Sequence, residues 1–256
     1  MTTVGIIGVG YLGECLVEGM APSKTPIVLS PRNAERAARL AKQYGCAVAQ
    51  DNAEVVAAAD VVFLATRPAD IVSTAKGLPW RGGQRAVSIA AGIELDDIQA
   101  AVGPALAVRS MPIASSRIGA SPTAFYPPDA MTEEVLSTFG TAHPVQTAEQ
   151  FETASIFGAY YGWIYAFLDE VSGWAAKNGL DPVTGRELAA RMTQSAAAAV
   201  IANSDRAPID LLNDLMTQGG ITAAGKRVLD ATGAIPHWSE ALDAAAVRSR
   251  QIGKGE

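Results

Sequence analysis

Hydrophobic positions follow two regimes along the chain. Up to about residue 148, short apolar runs alternate with stretches of helical spacing. The runs at 3–7, 27–29, 61–65, 86–89 and 107–110 predict strands, and 121–126 predicts a further one. Between them, residues 34–44 (ended by Gly45), 52–58, 70–76 and 95–102 carry the 3.6-residue period of helices. Strands this short and apolar are covered on both faces, and strand–helix alternation implies a parallel sheet under helices. Past Glu149 the spacing is helical throughout. Residues 151–177 read as one long helix closed by Asn178-Gly179, a C-cap signal. Residues 181–203 follow as a second, with Asp181 as N-cap and Pro182 in its first turn. Shorter helices are expected at 209–216, 222–232 and from Pro236. The predicted architecture is an α/β domain over 1–148, a parallel sheet, and an all-helical domain over 149–256.

The first long helix is apolar around most of its circumference: Ile156, Phe157, Tyr160, Tyr161, Trp163, Ile164, Phe167 and Leu168. A helix of that kind is buried on all sides. A small helical domain has few ways to bury it alone, so cover by a partner subunit is preferred over the centre of a monomeric bundle.

Straight after the first apolar run stands Gly8-Val9-Gly10-Tyr11-Leu12-Gly13, which spells G-x-G-x-x-G. A strand precedes it and a helical period (Leu12, Cys15, Leu16, Gly19, Met20) follows, the context that separates a Rossmann dinucleotide motif from an ordinary glycine turn. Gly8 suits the tight turn, Gly10 the close approach of a pyrophosphate, and Gly13 the packing of helix on strand. The helix N-terminus then offers N–H groups and positive dipole to the phosphates.

Composition narrows the picture by exclusion. Apolar residues make up 49% and charged residues 18% of 256, which suits a folded α/β protein. The net charge of −6 argues against non-specific attraction to nucleic acid or anionic membrane. Cys15 and Cys46 lack metal or redox spacing, so a reduced pair and a cytoplasmic setting are expected. The first residues read as a strand rather than a leader, and the longest apolar run, 156–168, is too short to span a bilayer. No metal-ligand spacing and no Ser/His/Asp arrangement stands out; His143 and His237 read as structural or exposed.

The second strand bears on which dinucleotide. Where an NAD site usually carries Asp or Glu, the chain reads Ser30-Pro31-Arg32-Asn33. A guanidinium can grip a 2′-phosphate bidentately, so NADP(H) is preferred; the alternative is that Ser30-Pro31 only starts the next helix with Arg32 solvated. Ligands of open α/β sheets lie beyond the carboxyl ends of the strands. Ala65-Thr66-Arg67-Pro68 and Ala90-Ala91-Gly92 should therefore border the cofactor, although the small residues at 90–92 could equally mark a turn.

Several segments now coincide with one family. The glycine motif, Ser30-Pro31-Arg32, FLATRP (63–68), SIAAGI (88–93), RSMP (109–112) and TQGGIT (217–222) resemble, in order and over nearly the whole chain, the motifs of pyrroline-5-carboxylate reductases. Those enzymes carry patterns like V-K-P, S-x-x-A-G, R-x-M-P-N-T-P and S-P-G-G-T-T. The resemblance implies an NADPH-preferring reductase of a cyclic imine, with a Rossmann-type domain and a helical domain that interlocks with its twin in a homodimer. It adds Tyr11, Leu12, Met111 and Pro112 to the expected cofactor contacts. In the turn Thr217-Gln218-Gly219-Gly220-Ile221-Thr222, free N–H groups suit a substrate carboxylate. By resemblance Thr222 matches the threonine at the imine and Thr217 the family's serine; a plain helix cap would also account for Thr222.

The chain departs from the family pattern at Ile113-Ala114-Ser115, where Asn-Thr-Pro is usual, at Thr217-Gln218 for Ser-Pro, and at Ile221. The family's S-G-S-G-P-A-Y reads Ser155-Ile156-Phe157-Gly158-Ala159-Tyr160-Tyr161. Two other readings stay open. A β-hydroxyacid-type dehydrogenase would need a lysine within the long helix, but Lys177 stands at its far end. An NADP-binding sensor or partner protein would tolerate the altered positions.

Overall fold

A computed structural model describes residues 1–253; residues 254–256, the end of the expected helical domain, lie outside the described residues. The first half runs β1 (Val4–Ile7), α1 (Tyr11–Met20), β2 (Ile27–Leu29), α2 (Ala34–Tyr44), β3 (Ala47–Val48), α3 (Asn52–Ala58), β4 (Val61–Leu64), α4 (Ile71–Ala75), β5 (Arg85–Ser88), α5 (Leu95–Val102), β6 (Leu106–Met111), β7 (Ser121–Tyr126), α6 (Ala130–Leu136), β8 (Gly140–Pro144) and α7 (Ala148–Ser155). The strands form one sheet in the order β3-β2-β1-β4-β5-β6-β7-β8. Val4 of β1 pairs with Ile27 on one side and Val61 on the other, so the chain winds away from β1 in both directions.

Each strand in the middle of the sheet sends alternate side chains to opposite faces. Ile6 and Phe63 enter one core with Leu16, Met20, Phe125 and Phe139. Ile7 and Leu64 enter the other with Val55, Ile71 and Ile98. Phe63 meets Phe139 edge-on at 6.3 Å between ring centroids, and truncating such a buried ring costs about 3–5 kcal/mol.

Three features differ from the expected pattern. The sheet is not wholly parallel: β7 runs antiparallel to β6, Ser110 facing Phe125. Residues 112–120 join them, fewer than the dozen or so a parallel return needs. Two strands escaped the hydrophobic pattern. Both Ala47 and Val48 of β3 are exposed, and β8 is mostly polar and exposed at its end, so neither makes an apolar run. The third difference is a break at Ile156, where one long helix was expected. Thr147 caps α7 by accepting from the Gln150 N–H, and the Ser155 hydroxyl donates to the Glu152 carbonyl at 2.7 Å, ending the helix before the next begins.

Two charged groups are locked into the sheet. Arg109 of β6 is buried; its Nη1 donates to Glu152 Oε1 of α7 at 2.5 Å and its guanidinium lies 4.6 Å over the Phe151 ring. Asp129, the N-cap of α6, accepts from Arg85 Nη2 at 2.7 Å and from the Thr132 N–H and hydroxyl at 2.8 and 2.9 Å. Burial alone would push the Asp129 carboxyl up, but the Arg85 and Thr132 donors overcome it and hold it below the usual carboxylate range.

The helices that follow are α8 (Phe157–Lys177), α9 (Pro182–Ala202), α10 (Pro208–Leu215), α11 (Ile221–Ala231) and α12 (Ala234–Gly253). The chain divides into two compact units, residues 159–245 forming the second and the remainder the first. Within the second, α8 ends in a Schellman motif. The Leu180 N–H bonds the Ala175 carbonyl, the Gly179 N–H bonds that of Ala176, and Gly179 takes φ +89°. Gly185 then lets α9 approach α8, since a methyl there would stand 3.2 Å from Ala175 Cβ. Trp238 of α12 packs against Tyr160 and Trp163, with centroids at 5.9 and 6.2 Å. In the single chain α8 is not buried on all sides: Tyr165, Phe167 and Trp174 are exposed, as expected of a helix partly reserved for a partner subunit. No helix among the described residues is long and apolar enough to cross a membrane.

The Asp129 lock carries a pH signature. A depressed native carboxyl stabilises the fold above the unfolded value near pH 4, and that stabilisation is lost as pH falls through the native value. Asp129→Asn should therefore cost about 2 kcal/mol in urea unfolding at pH 7, with the difference from wild type shrinking as pH falls below the ordinary carboxylate range.

Candidate functional site

The glycine turn is set by close backbone approaches. Gly8 takes φ +99°, and a methyl on it would stand 2.7 Å from the Ala65 carbonyl. A methyl on Gly13 would stand 2.9 Å from the Gly8 oxygen, so α1 can begin here only without side chains. Gly10 differs: a methyl there meets nothing within 4 Å, because the loop faces open space. As N-cap of α1, Gly10 offers no side chain to the first-turn N–H groups. They remain available to an anion.

That space is a cleft of about 620 Å³ lined by Gly8, Val9, Gly10, Arg32, Asn33, Ala34, Glu35, Ala65, Thr66, Arg67 and Asp70. These residues follow the carboxyl ends of β1, β2 and β4, where the sheet order reverses, the crevice in which doubly wound sheets hold ligands. Of the expected cofactor contacts, the cleft gathers Gly8, Gly10, Arg32, Ala65, Thr66 and Arg67. Ser30 does not reach it. It is 1% exposed, and its hydroxyl accepts from the Gly8 N–H at 3.0 Å, holding the turn from below. Gly13 is buried behind the turn and Leu12 packs on the core. Tyr11 is exposed, with its ring 5.4 Å under Arg117. Pro68, Ala90, Ala91, Gly92, Met111 and Pro112 lie outside the cleft lining; Ala90 and Pro112 are buried. Val9, Asn33, Ala34, Glu35 and Asp70 were missed. Asn33 had a readable signal, since an Asn before a helical period caps it, and here its side chain accepts from the Arg36 N–H.

Two observations fit a dinucleotide to the cleft. The Thr66 hydroxyl is buried and has no hydrogen-bond partner among the described residues, which is costly unless a ligand supplies one. Arg32 is exposed and forms no ion pair among the described residues, whereas Arg67 Nε is held 2.9 Å from Asp70 Oδ2.

In the second unit, Thr217 and Gly220 close a turn through the Gly220 N–H to Thr217 carbonyl bond at 2.9 Å, with Gly219 at φ +74°. The helix after it begins at Ile221, one residue earlier than expected, with Gly220 as N-cap and no side-chain cap. Thr222 is thus not the cap; it lies in the first turn, exposed, and its hydroxyl makes no hydrogen bond among the described residues. Gly219 and Gly220 leave the first-turn N–H groups uncovered, and Ile221 is 92% exposed. His143 pairs with Thr141 on β8 at 2.9 Å. Among the described residues, no group of three His, Cys, Asp or Glu is arranged to hold a metal ion.

Known proteins place both halves. Residues 3–92 match the family model described as NADP oxidoreductase coenzyme F420-dependent, and residues 148–252 match the one described as pyrroline-5-carboxylate reductase dimerisation. Pyrroline-5-carboxylate reductase 1 of Bacillus spizizenii is 30% identical, covering 97% of this chain and 89% of its own. The pea (Pisum sativum) pyrroline-5-carboxylate reductase is 29% identical over 98% of this chain and 96% of its own. The crystal structure of 1-pyrroline-5-carboxylate reductase from Streptococcus pyogenes shares the fold with a TM-score of 0.85 at 24% identity, covering 98% of each chain. With a near full-length relative at 30% identity, the chain belongs to the pyrroline-5-carboxylate reductase family.

Proposed function

We propose that this protein is an NADPH-dependent reductase of a cyclic imine bearing a carboxylate, with pyrroline-5-carboxylate as the first candidate substrate and proline as its product. The observation that carries the reading is near full-length similarity to enzymes of that name, joined to an open glycine-loop cleft with one unpaired arginine. Residues 1–148 would hold the cofactor and 149–256 the substrate turn and the subunit contact. The uncovered aromatic side of α8 and the match of 148–252 to a dimerisation model support a homodimer through the helical segment. Cys15 and Cys46 are unpaired and buried, which suits a reducing compartment, and we infer a cytoplasmic location.

Bound NADPH supplies the hydride that adds to the carbon of the C=N bond. Gly8, Gly10 and the first turn of α1 would hold the pyrophosphate, Arg32 the 2′-phosphate, and Thr66 a polar group of the cofactor. The uncovered N–H groups after Gly219-Gly220 would take the substrate carboxylate, with Thr217 as second polar contact. Thr222 would direct its hydroxyl at the imine nitrogen. A protonated imine is already electrophilic, so the chain's main task is to orient the ring carbon. The test is loss of NADPH absorbance with a panel of cyclic imino acids: turnover of pyrroline-5-carboxylate is expected, and NADPH binding without turnover of any member would overturn the reading.

Thr222→Ala should lower kcat by roughly tenfold or more while leaving NADPH affinity within about twofold. Thr222→Ser should recover most of the rate. Thr66→Val removes a buried hydroxyl that has no partner in the free protein. The free protein should therefore unfold at an unchanged or higher temperature, while the Kd for NADPH rises about fivefold, near 1 kcal/mol.

A further inference from the structure

We propose that Glu35 sets how strongly the protein prefers the phosphorylated dinucleotide, by opposing Arg32 at the end of the cleft that follows β2. The inference rests on the cofactor reading above. Four charged side chains line the cleft: Arg32, Glu35, Arg67 and Asp70. Two of them neutralise each other, with Arg67 Nε 2.9 Å from Asp70 Oδ2. The arginines further along α2 are committed elsewhere. Arg36 Nε lies 3.1 Å and Arg39 Nη2 2.7 Å from the two carboxylate oxygens of Glu14 on α1. Arg32 and Glu35 remain, both exposed and neither in an ion pair among the described residues. The cleft lining therefore carries no net charge.

Only the phosphorylated cofactor senses this balance. Its 2′-phosphate is close to a dianion at neutral pH, attracted by Arg32 and repelled by Glu35 with the same distance law. A cofactor with a free 2′-hydroxyl brings no charge to that end, so both side chains act on the ratio of the two affinities. Glu35 also sits in the first turn of α2, where an acid stabilises the helix dipole. A purely helical role predicts no effect on selectivity, and that difference makes the proposal testable. Asn33 already caps α2 through the Arg36 N–H, so the helix keeps its start without Glu35.

Calorimetric titration of NADP⁺ and NAD⁺ into wild type, Glu35→Gln, Glu35→Asp, Arg32→Gln and the double glutamine variant tests this without relying on turnover. Glu35→Gln should tighten NADP⁺ by about threefold to tenfold and leave NAD⁺ within about twofold, an effect that shrinks as salt is added. Arg32→Gln should weaken NADP⁺ by a similar factor, the double variant should return the ratio toward wild type, and Glu35→Asp should keep it. A Glu35→Gln ratio within about twofold of wild type, or equal shifts for both cofactors, overturns the proposal while leaving the cofactor reading intact. If wild type binds neither dinucleotide, the cofactor reading itself falls and takes the proposal with it.

Discussion

Around Gly8, the backbone after β4 approaches so closely that a β-carbon does not fit, and the placement of the cleft follows from that approach. The loop after β4 passes under Gly8, the start of α1 passes over it, and Ser30 from the end of β2 holds its N–H. A β-carbon at Gly8 would strike the loop after β4, and one at Gly13 would push α1 away from the end of β1. With the turn this tight, the N-terminus of α1 lies over the carboxyl ends of β1 and β4 and its first N–H groups face the open space beside Gly10. The packing constraint and the anion-binding geometry are thus one arrangement.

Charge is distributed on the same principle around this turn. Carboxylates gather the cations that structure needs: Glu14 takes Arg36 and Arg39, Asp129 takes Arg85, and Glu152 takes the buried Arg109. Arg81 donates to the carbonyls of Val56, Ala57 and Ala59 at the end of α3 and also pairs with Asp60 at 3.7 Å. What is left for a ligand is small and specific, a guanidinium at 32 and the hydroxyl of Thr66. Five buried side-chain polar atoms lack a partner among the described residues, and of these only the Thr66 hydroxyl lines the cleft, where a ligand could offset its cost.

The helical unit repeats the logic with backbone and apolar surface. The turn at Thr217–Gly220 leaves the first N–H groups of α11 uncapped, so they are donors without a partner side chain. The exposed aromatic residues of α8 are apolar surface of the kind that marks interaction sites.

Local chemistry made much of this legible in the chain itself. The strand–glycine–helix order placed the cleft, the Asn178-Gly179 pair ended α8 where a left-handed residue was needed, and motif order pointed to the family. What escaped were β3 and β8, which lack apolar runs because their neighbours rather than burial define them, and the antiparallel turn of β7, which loop length decides. The break at Ile156, beside the Ser155 hydroxyl's bond to the Glu152 carbonyl, leaves the hydrophobic period intact, so periodicity passes over it. Side-chain roles around the cleft were settled only in three dimensions. Ser30 and Arg32 are two residues apart and chemically both suited to a phosphate, yet β2 ends at Leu29 and the chain turns at Pro31, so Ser30 meets the Gly8 N–H while Arg32 stands in the open. Sequence determines which chemistry is present on a segment. Which of those groups is already satisfied by the fold, and which is left for a ligand, is decided by distances between residues far apart in the chain.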